Sequence, residues 1–404
     1  MSKAGWQKTT LGAAFSTVTG NTPPKNNALF YGQFMPLVKP PELCDATLDS
    51  GEDGLSKAGA DVSRTAPPNS ILVSCIGNLG KIGLNIIPVA FNQQINAILP
   101  DNQKAIPEFM FYQVLSSSFK EQLESLASGT TVPIVNKSKF NSIRIVLPTL
   151  PEQQRIVGII DEAFDGIAAA KYNAEQNLKN ARALFESHLQ SVFTQRGEGW
   201  VERPLSELCD IKHGFAFDGA EFSSDVPEGK PIVITPGNFS EDGKLVFNEK
   251  NTKRFSGKPP AAFRFDIGDL VVVMTDLSSK MKILGKPAFV ETDDVLHNQR
   301  IGRVVFFDDS VEKRFVYYFM MSERFLKNIK ISATGTMVKH TAPSRILSNV
   351  ISFPVERKEQ MQLVAKIDAL REETQRLASL YQRKLAALAE LKKSLLHQAF
   401  SGAL

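Results

Sequence analysis

The stretch that decides the fold is LPTLPEQQRI, residues 147–156. Pro151 fits the opening turn of a helix, and the apolar residues that follow alternate at three and four positions, which predicts a long helix with one apolar seam. Spacing of this kind is typical of a coiled coil. Gly197 and Gly199 are expected to end the helix. The seam residues are Ile156, Ile160, Ile167, Leu178, Phe185 and Val192.

A second helix of the same kind follows FPVERKEQ, residues 353–360. Its seam residues are Leu363, Ile367, Leu370, Leu377, Leu388, Leu391 and Leu395. Each helix could pack on its own domain, but two seams of roughly five heptads favour pairing with each other. From Ile156 to Val192 the first helix would span about 55 Å. An antiparallel pair would hold a domain at each end, related by an approximate two-fold axis.

The chain is a tandem repeat. The two tryptophans, Trp6 and Trp200, lie 194 residues apart in matching contexts, and later matches lie 206 apart, so the second half has twelve extra residues between Gly214 and Asn298. The most distinct later matches are NQQI 92–95 with NQRI 298–301 and GTTV 129–132 with GTMV 335–338. This repeat predicts a first domain at 1–150, a helix at 151–198, a second domain at 199–355 and a second helix at 356–404.

The pattern within each domain is mixed. Residues 71–76 and 270–274 have the continuous apolar character of short buried strands, and residues 107–126 and 311–331 have helical spacing. We therefore predict two α/β (α+β) domains in tandem, joined by two long antiparallel coiled-coil helices with pseudo-two-fold symmetry.

Composition excludes several classes of function. A net charge of +4 on 404 residues shows no basic tail, so any DNA contact requires cations gathered locally. Three distant cysteines and five scattered histidines predict buried free thiols and no metal site. The chain has no apolar run long enough for a membrane span and no secretory signal, which favours a cytoplasmic protein. No phosphate-binding loop, cofactor loop or nuclease cluster appears, so we predict a non-catalytic chain without a cofactor of its own.

The ordered set of motifs, present twice, resembles the specificity subunit of type I restriction-modification systems. The motifs are the GTTV and GTMV turns, each followed by a strand, a proline and a helix start that contains Glu-Gln. The resemblance covers the whole chain and implies two target-recognition domains. Each domain would recognise one half of an interrupted, asymmetric site in double-stranded DNA. The helices would fix the gap and bind two modification subunits, whose cofactor is S-adenosylmethionine. Two restriction subunits that use ATP and Mg²⁺ could join them.

Polar and cationic residues in the loops are the candidates for DNA contact. Asn and Gln can pair with adenine, and Arg and Lys with guanine or with phosphates. The Asn-Gln pairs recur in both domains, which favours a structural turn over a base contact, and the Gly-Thr turns are expected to be helix C-caps. The candidates are Asn92, Gln93, Gln94, Lys137 and Lys139 in the first domain and Lys280, Lys282, Asn298, Gln299, Arg300, Lys339, His340 and Arg345 in the second.

A different class of function is also compatible with the near-neutral charge. A repeat adaptor could use the same two domains and helices to bind proteins without nucleic acid. The salt dependence of duplex binding separates the two hypotheses, since contacts to several phosphates weaken steeply with salt.

Overall fold

The computed structural model describes residues 5–129, 131–194, 197–219, 221–223 and 229–404. They form two compact units. Unit 1 contains the residues up to Glu175 together with Gln382–Leu404, and unit 2 is Gln176–Tyr381. Each unit therefore combines one α/β domain with a segment of each long helix.

The domain of unit 1 has a five-stranded sheet, a four-stranded sheet and a two-stranded ribbon. Its strands are β1 (Gln7–Thr10), β2 (Thr17–Thr19), β3 (Tyr31–Val38), β4 (Ala46–Leu48), β5 (Asp53–Leu55), β6 (Thr65–Ala66), β7 (Ile71–Ser74), β8 (Ile82–Asn85), β9 (Val89–Phe91), β10 (Ile95–Ile98) and β11 (Arg144–Leu147). Its helices are α1 (Leu11–Ala14), α2 (Lys57–Asp61), α3 (Pro107–Leu115), α4 (Ser117–Ser125) and α5 (Lys137–Asn141). The strand orders are β2-β10-β7-β8-β4, β5-β3-β9-β6 and β1-β11.

The domain of unit 2 follows the long helix α6 (Leu150–Thr194) and precedes the long helix α10 (Arg357–Ser401). Its strands are β12 (Trp200–Pro204), β13 (Cys209–His213), β14 (Phe222–Ser223), β15 (Ile232–Ile234), β16 (Arg254–Phe255), β17 (Leu270–Val273), β18 (Thr275–Asp276), β19 (Pro287–Phe289), β20 (Val295–His297), β21 (Ile301–Phe306), β22 (Lys339–His340) and β23 (Val350–Pro354). Its helices are α7 (Lys313–Met321), α8 (Glu323–Ser332) and α9 (Pro343–Leu347). The strand orders are β13-β21-β17-β19, β14-β16-β15-β20, β12-β23 and β18-β22.

The two domains share one plan, which confirms the predicted tandem α/β architecture. In unit 1 the order β2-β10-β7-β8 matches β13-β21-β17-β19 in unit 2, and both runs are antiparallel. A parallel pair, β3 with β9 or β15 with β20, marks the second sheet of each domain. The ribbon that leads into each long helix is β1-β11 in unit 1 and β12-β23 in unit 2.

Each helical stretch after the sheet is two helices rather than one. Ser116 ends α3 in extended backbone, and its hydroxyl accepts a hydrogen bond from the Phe119 amide at the start of α4. Ser322 does the same between α7 and α8, with Phe325 as the donor. Serine is a strong N-cap, so its oxygen can begin a new helix where periodicity alone predicts one continuous helix.

The long helices contain 45 residues each, or about 67 Å of helix. Every seam position is buried or half-buried except Leu391, whose side chain is 46% exposed. Near that position the buried residues are instead Leu396 and Ala399, which belong to the core of unit 1. The seam prediction is wrong at Leu391 because this end of α10 packs on a domain core and not only on a helix.

Inside unit 1 the start of α6 and the end of α10 run side by side in opposite directions. The Arg155 guanidinium donates to the carbonyl oxygen of Leu404 at 3.0 Å, and the Lys392 ammonium lies 4.6 Å from the ring centroid of Phe164. In unit 2 the end of α6 and the start of α10 enter one core, where Phe193 contacts the ring of Phe315. Both alternatives for the helices therefore hold: the two helices lie against each other in unit 1, and their ends also pack in the domain cores.

A buried glutamine docks each long helix on its domain. The Gln153 side chain is fully buried; its Oε1 accepts from the Ile106 amide, and its Nε2 donates to the carbonyl oxygens of Lys104 and Pro148, all at 2.9 Å. Gln360 makes the same three kinds of hydrogen bond in unit 2. The Glu-Gln motif thus holds the helix start against the loop before α3 or α7.

Cysteine burial differs from the sequence prediction at one position. Burial raises the pKa of the Cys75 and Cys209 thiols to about 12, so both are protonated at neutral pH. Cys44 is exposed, so the prediction of a buried thiol is wrong there. Within the described residues, none of the helices combines the length and apolar character that a membrane crossing requires.

Candidate nucleic-acid interface

One backbone position brings the repeated motifs of the second domain together. The Met274 amide donates to the carbonyl oxygen of Arg300 at 3.0 Å, and the Met274 carbonyl accepts from the Thr341 amide at 2.9 Å. The end of β17 thus touches both the Asn-Gln turn and the strand that leaves the Gly-Thr turn. Residues far apart in sequence therefore converge at one end of this domain.

The first domain repeats this junction with different side chains. The Cys75 amide donates to the Gln94 carbonyl at 2.7 Å, and the Cys75 carbonyl accepts from the Val135 amide at 2.8 Å. We call the surface around each junction the loop-end surface: residues 76–81, 92–94, 128–129 and 131–139 in unit 1, and residues 276–286, 298–300 and 334–345 in unit 2.

The asparagines of the Asn-Gln turns hold the turns together. Asn92 and Asn298 are 7% and 6% exposed, and each Oδ1 accepts from the amide two residues later at 3.1 and 3.0 Å. Gly20 and Gly214 lie so close to these turns that a Cβ there would overlap the backbone. The geometry matches the structural turn that the sequence favoured, and DNA contact by either asparagine stays a prediction.

The tips of the turns are more accessible. Gln93 is exposed and its side chain accepts from the Thr22 hydroxyl, whereas the half-buried Gln94 accepts from the Asn92 amide group. Gln299 and Arg300 are both exposed. Beneath them, burial lowers the pKa of His297 to about 4, so the neutral imidazole donates through Nε2 to the Ile301 carbonyl.

The Gly-Thr turns are hairpin tips, so their prediction as helix C-caps is wrong. Ser128 and Ile134 exchange two backbone hydrogen bonds in unit 1, as do Thr334 and His340 in unit 2. Gly335 has a φ of +95°, and a Cβ there would overlap the Val338 carbonyl oxygen. The helices end at Ser125 and Ser332, before either glycine, because the chain turns back to pair with itself. Thr130 lies outside the described residues.

Two of the candidate DNA-contact residues cap the helices before these hairpins. The Lys139 ammonium donates to the Leu126 carbonyl at 2.9 Å, and the Arg345 guanidinium donates to the Ser332 carbonyl at 2.5 Å and to the Thr334 hydroxyl at 3.4 Å. A cation at a helix C-terminus satisfies free carbonyls and opposes the negative end of the helix dipole. Both residues remain half-buried, with capacity for a further partner.

The loop after β18 holds half of the twelve extra residues of the second domain. Equivalent strand residues are 199 apart before the loop, at Val73 and Val272, and 205 apart after it, at Ile82 and Pro287, so six extra residues lie between them. Asp276 is 3% exposed and accepts from the amides of Ser278 and Ile283, at 2.8 and 3.0 Å. A buried carboxylate thus fixes this loop at both ends.

The remaining predicted cations differ in how far they are engaged. Lys282 pairs with Glu241 at 2.7 Å, Lys339 donates to the Gly335 carbonyl at 2.7 Å, and His340 Nδ1 lies 3.0 Å from the Thr275 hydroxyl. In the part of the chain that the structure describes, three exposed cationic side chains of the loop-end surfaces make no hydrogen bond or ion pair: Lys137, Lys280 and Arg300.

Sequence reasoning missed the apolar part of the second loop-end surface. Leu277 is 61% exposed and Met337 is 81% exposed. Leu277 directly follows strand β18, and Met337 lies two residues before β22, the strand that pairs with β18. The longer loop and the change from Gly-Thr-Thr to Gly-Thr-Met were visible in the sequence. Their exposure was not, because an apolar residue in a loop is as often covered as open.

Comparison with known proteins agrees with this geometry. A family model described as "Type I restriction modification DNA specificity domain" matches residues 3–180. The specificity subunit of type I restriction enzyme HindI from Haemophilus influenzae is 32% identical over 168 residues, and that of MjaVIII from Methanocaldococcus jannaschii is 28% identical over 311 residues. The chain is therefore similar to the specificity subunits of type I restriction-modification systems.

The coverage of these relatives is partial. The HindI match covers 40% of this chain and 36% of that subunit, and the MjaVIII match covers 72% and 69%. Two solved structures have the same fold over the whole chain at 18% identity. One, from work on complex assembly and conformational transition of the type I R-M system, has a TM-score of 0.80 and full coverage of both chains. The other, an HsdS subunit from Thermoanaerobacter tengcongensis, has a TM-score of 0.62 and 98% coverage of that chain.

Proposed function

We propose that this chain recognises a bipartite, asymmetric site in double-stranded DNA, with one half-site read by each domain. The observation that carries the proposal is the repeated loop-end surface. The same backbone junction, at Cys75 and at Met274, presents turns and hairpins whose exposed side chains differ between the domains. A shared scaffold with different tips is what two half-sites of different sequence require.

The charge on these surfaces supports DNA as the ligand. Lys280 and Arg300 are exposed and have no side-chain partner among the described residues, and the acidic Asp276 beside them is buried and bonded to backbone amides. Cations of this kind bind phosphates and fix the register of the protein, while side chains at the tips contact base edges. Lys137 is the corresponding cation in the first domain, exposed and without a side-chain partner in the part of the chain that the structure describes.

We further propose that the long helices set the gap between half-sites and bind two modification subunits. Two DNA-reading modules on one face of a duplex require centres about 34 Å apart or a multiple of that. Helices of 45 residues are stiff enough to impose such a distance. Their solvent-facing sides are available to partners. Inserting one heptad in both helices should lengthen the gap, and an unchanged gap would reject this role.

Catalysis would then reside in the partners. The modification subunits would use S-adenosylmethionine to methylate adenine in each half-site, and restriction subunits, where present, would use ATP and Mg²⁺. This chain would contribute recognition alone and work inside the cell, where the DNA is. Binding of S-adenosylmethionine by the isolated chain would contradict that division of labour.

The test is long-read methylation sequencing of a methylation-free host that expresses this chain with the modification subunit of its own system. We expect one interrupted, asymmetric adenine motif that is absent when this chain is omitted. Exchanging residues 1–150 for the first domain of another family member should change one half of the motif only.

A protein adaptor would give a different result. It would yield no motif and no salt-dependent binding to a duplex, since it would neutralise no phosphates. A change in both halves of the motif after the domain exchange would also contradict the proposal.

A further inference from the structure

The second domain has exposed apolar side chains at two positions where the first domain has polar ones. The hairpin pairs Ile76–Ile134 and Thr275–His340 are equivalent, so Leu277 corresponds to Asn78, and Met337 corresponds to Thr131. The first domain therefore exposes two polar side chains where the second exposes two apolar ones. The next residue, Val132 or Val338, is apolar in both hairpins. The difference between the domains therefore lies at the positions of Leu277 and Met337 and not in the hairpin as a whole.

Both apolar residues are held in place by their surroundings. Buried Asp276 fixes the loop that begins with Leu277, through the amides of Ser278 and Ile283. Met337 lies at the tip of a hairpin closed by the exchange of hydrogen bonds between Thr334 and His340. Because hydrogen bonds fix both segments, the exposure of Leu277 and Met337 is a property of the folded domain.

Cations surround this tip. Lys280 follows Leu277 in the same loop, Lys339 follows Met337 in the same hairpin, and Arg300 joins the junction at Met274. The one acidic side chain of this group, Asp276, is buried. An apolar centre with a cationic rim fits a duplex, whose phosphates lie outside its apolar base faces and thymine methyl groups.

We propose that Leu277 and Met337 press against apolar parts of the bases in the half-site of the second domain and determine specificity there. The inference rests on the proposed DNA recognition and deepens it. The apolar partner is a base face exposed by partial unstacking, as with the Leu and Met wedges of other DNA-binding proteins, or a thymine methyl group in the major groove. The first domain would instead make polar contacts at this place, through Asn78 and Thr131.

The test converts the tip to the residues of the first domain. The double variant Leu277→Asn with Met337→Thr takes residues that the equivalent fold already tolerates, and both sites are exposed. We expect discrimination to fall by roughly five- to a hundredfold at one or two adjacent positions of the second half-motif, as for loss of one base-pair contact. The first half-motif should stay unchanged. The matched control is Ile267→Thr, at a 61% exposed residue before β17, at the opposite end of that strand.

Methylation sequencing of the host provides the measurement and separates the two levels of inference. If the wild-type chain gives no bipartite motif, the proposed function fails. If it gives one, and the double variant matches the Ile267→Thr control or changes only the first half-motif, the apolar-tip proposal alone fails. The reciprocal variant, Asn78→Leu with Thr131→Met, should alter the first half-motif only.

Two binding experiments with the resulting target duplex identify the apolar partner. With 2-aminopurine at the affected position, a rise in fluorescence on binding of the wild type, absent with the double variant, would indicate unstacking. With uracil in place of thymine there, a loss of affinity for the wild type alone would indicate a methyl contact. If neither signal depends on Leu277 and Met337, the tip contacts no base and the proposal is overturned.

Discussion

Replacing Gln153 by leucine should destabilise unit 1 while leaving its shape and apolar packing largely intact. Three hydrogen bonds are lost, and the Ile106 amide and two carbonyl oxygens lose the fully buried Gln153 side chain as their partner. At about 1 kcal/mol for each, the loss is about 3 kcal/mol in the free energy of unfolding. For an m-value on the order of 2–3 kcal/mol per molar urea, the midpoint falls by about 1 M.

Each unit contains one tryptophan, which allows the effect to be measured where it occurs. Trp6 packs on the core of unit 1 and Trp200 on the core of unit 2. In a Trp200→Phe background, Trp6 fluorescence during urea unfolding reports unit 1. Gln154→Leu is the matched control, because it makes the same substitution one position later on an exposed side chain. If Gln153→Leu shifts the midpoint no more than Gln154→Leu does, the docking role of the buried glutamine is refuted.

Three further outcomes follow from the second domain. Gly335→Ala should cost about 1–3 kcal/mol in a urea titration and disturb the second half-motif, because alanine is strained at a φ of +95°; an unchanged midpoint and motif would contradict this. Lys280→Ala and Arg300→Ala should each reduce the slope of log affinity against log salt concentration by about one. Lys282→Ala should reduce it less, because the Lys282 ammonium is already paired with a carboxylate. Equal slopes for all three variants would argue against phosphate contact. Burial lowers the pKa of His297 to about 4 in the folded state, so the unfolded state binds more protons between pH 6.5 and 4. The free energy of unfolding of unit 2 should therefore fall by up to about 3 kcal/mol as the pH falls through that range. His297→Asn should make this pH dependence smaller, and a pH profile parallel to that of the wild type would contradict the prediction.

The repeat and the helices could be predicted from sequence because both are periodic. The seam from Ile156 to Val192 and the offset between Trp6 and Trp200 are long-range patterns that survive local variation. Structural features that depend on a single hydrogen bond could not be predicted from the sequence. Ser116 divides a helical stretch because its hydroxyl caps the next helix, and periodicity does not register a single cap.

The candidate site was predictable as a set of loops but not as a surface. The turns at Asn92 and Asn298 have the structural hydrogen bonds that their recurrence favoured, yet their contact with the Gly-Thr hairpins depends on strand register. Lys139 and Arg345 were chosen for their charge, and only the structure shows those charges on helix carbonyls. The exposed apolar tip at Met337 required knowing which loop residues lack a neighbour.

The composition of unit 1 has a consequence for biosynthesis. Its core takes residues from the amino-terminal domain and also Leu396, Ala399 and Phe400 from the far end of α10. On the ribosome, all of unit 2 is synthesised before these side chains emerge, so the core of the amino-terminal domain cannot be completed until then. Unit 2 is continuous in sequence and can close its own core earlier. The domain made first is therefore completed last, and during translation it depends on chaperones or on its own partial stability to keep Phe109, the ring partner of Phe400, from aggregating.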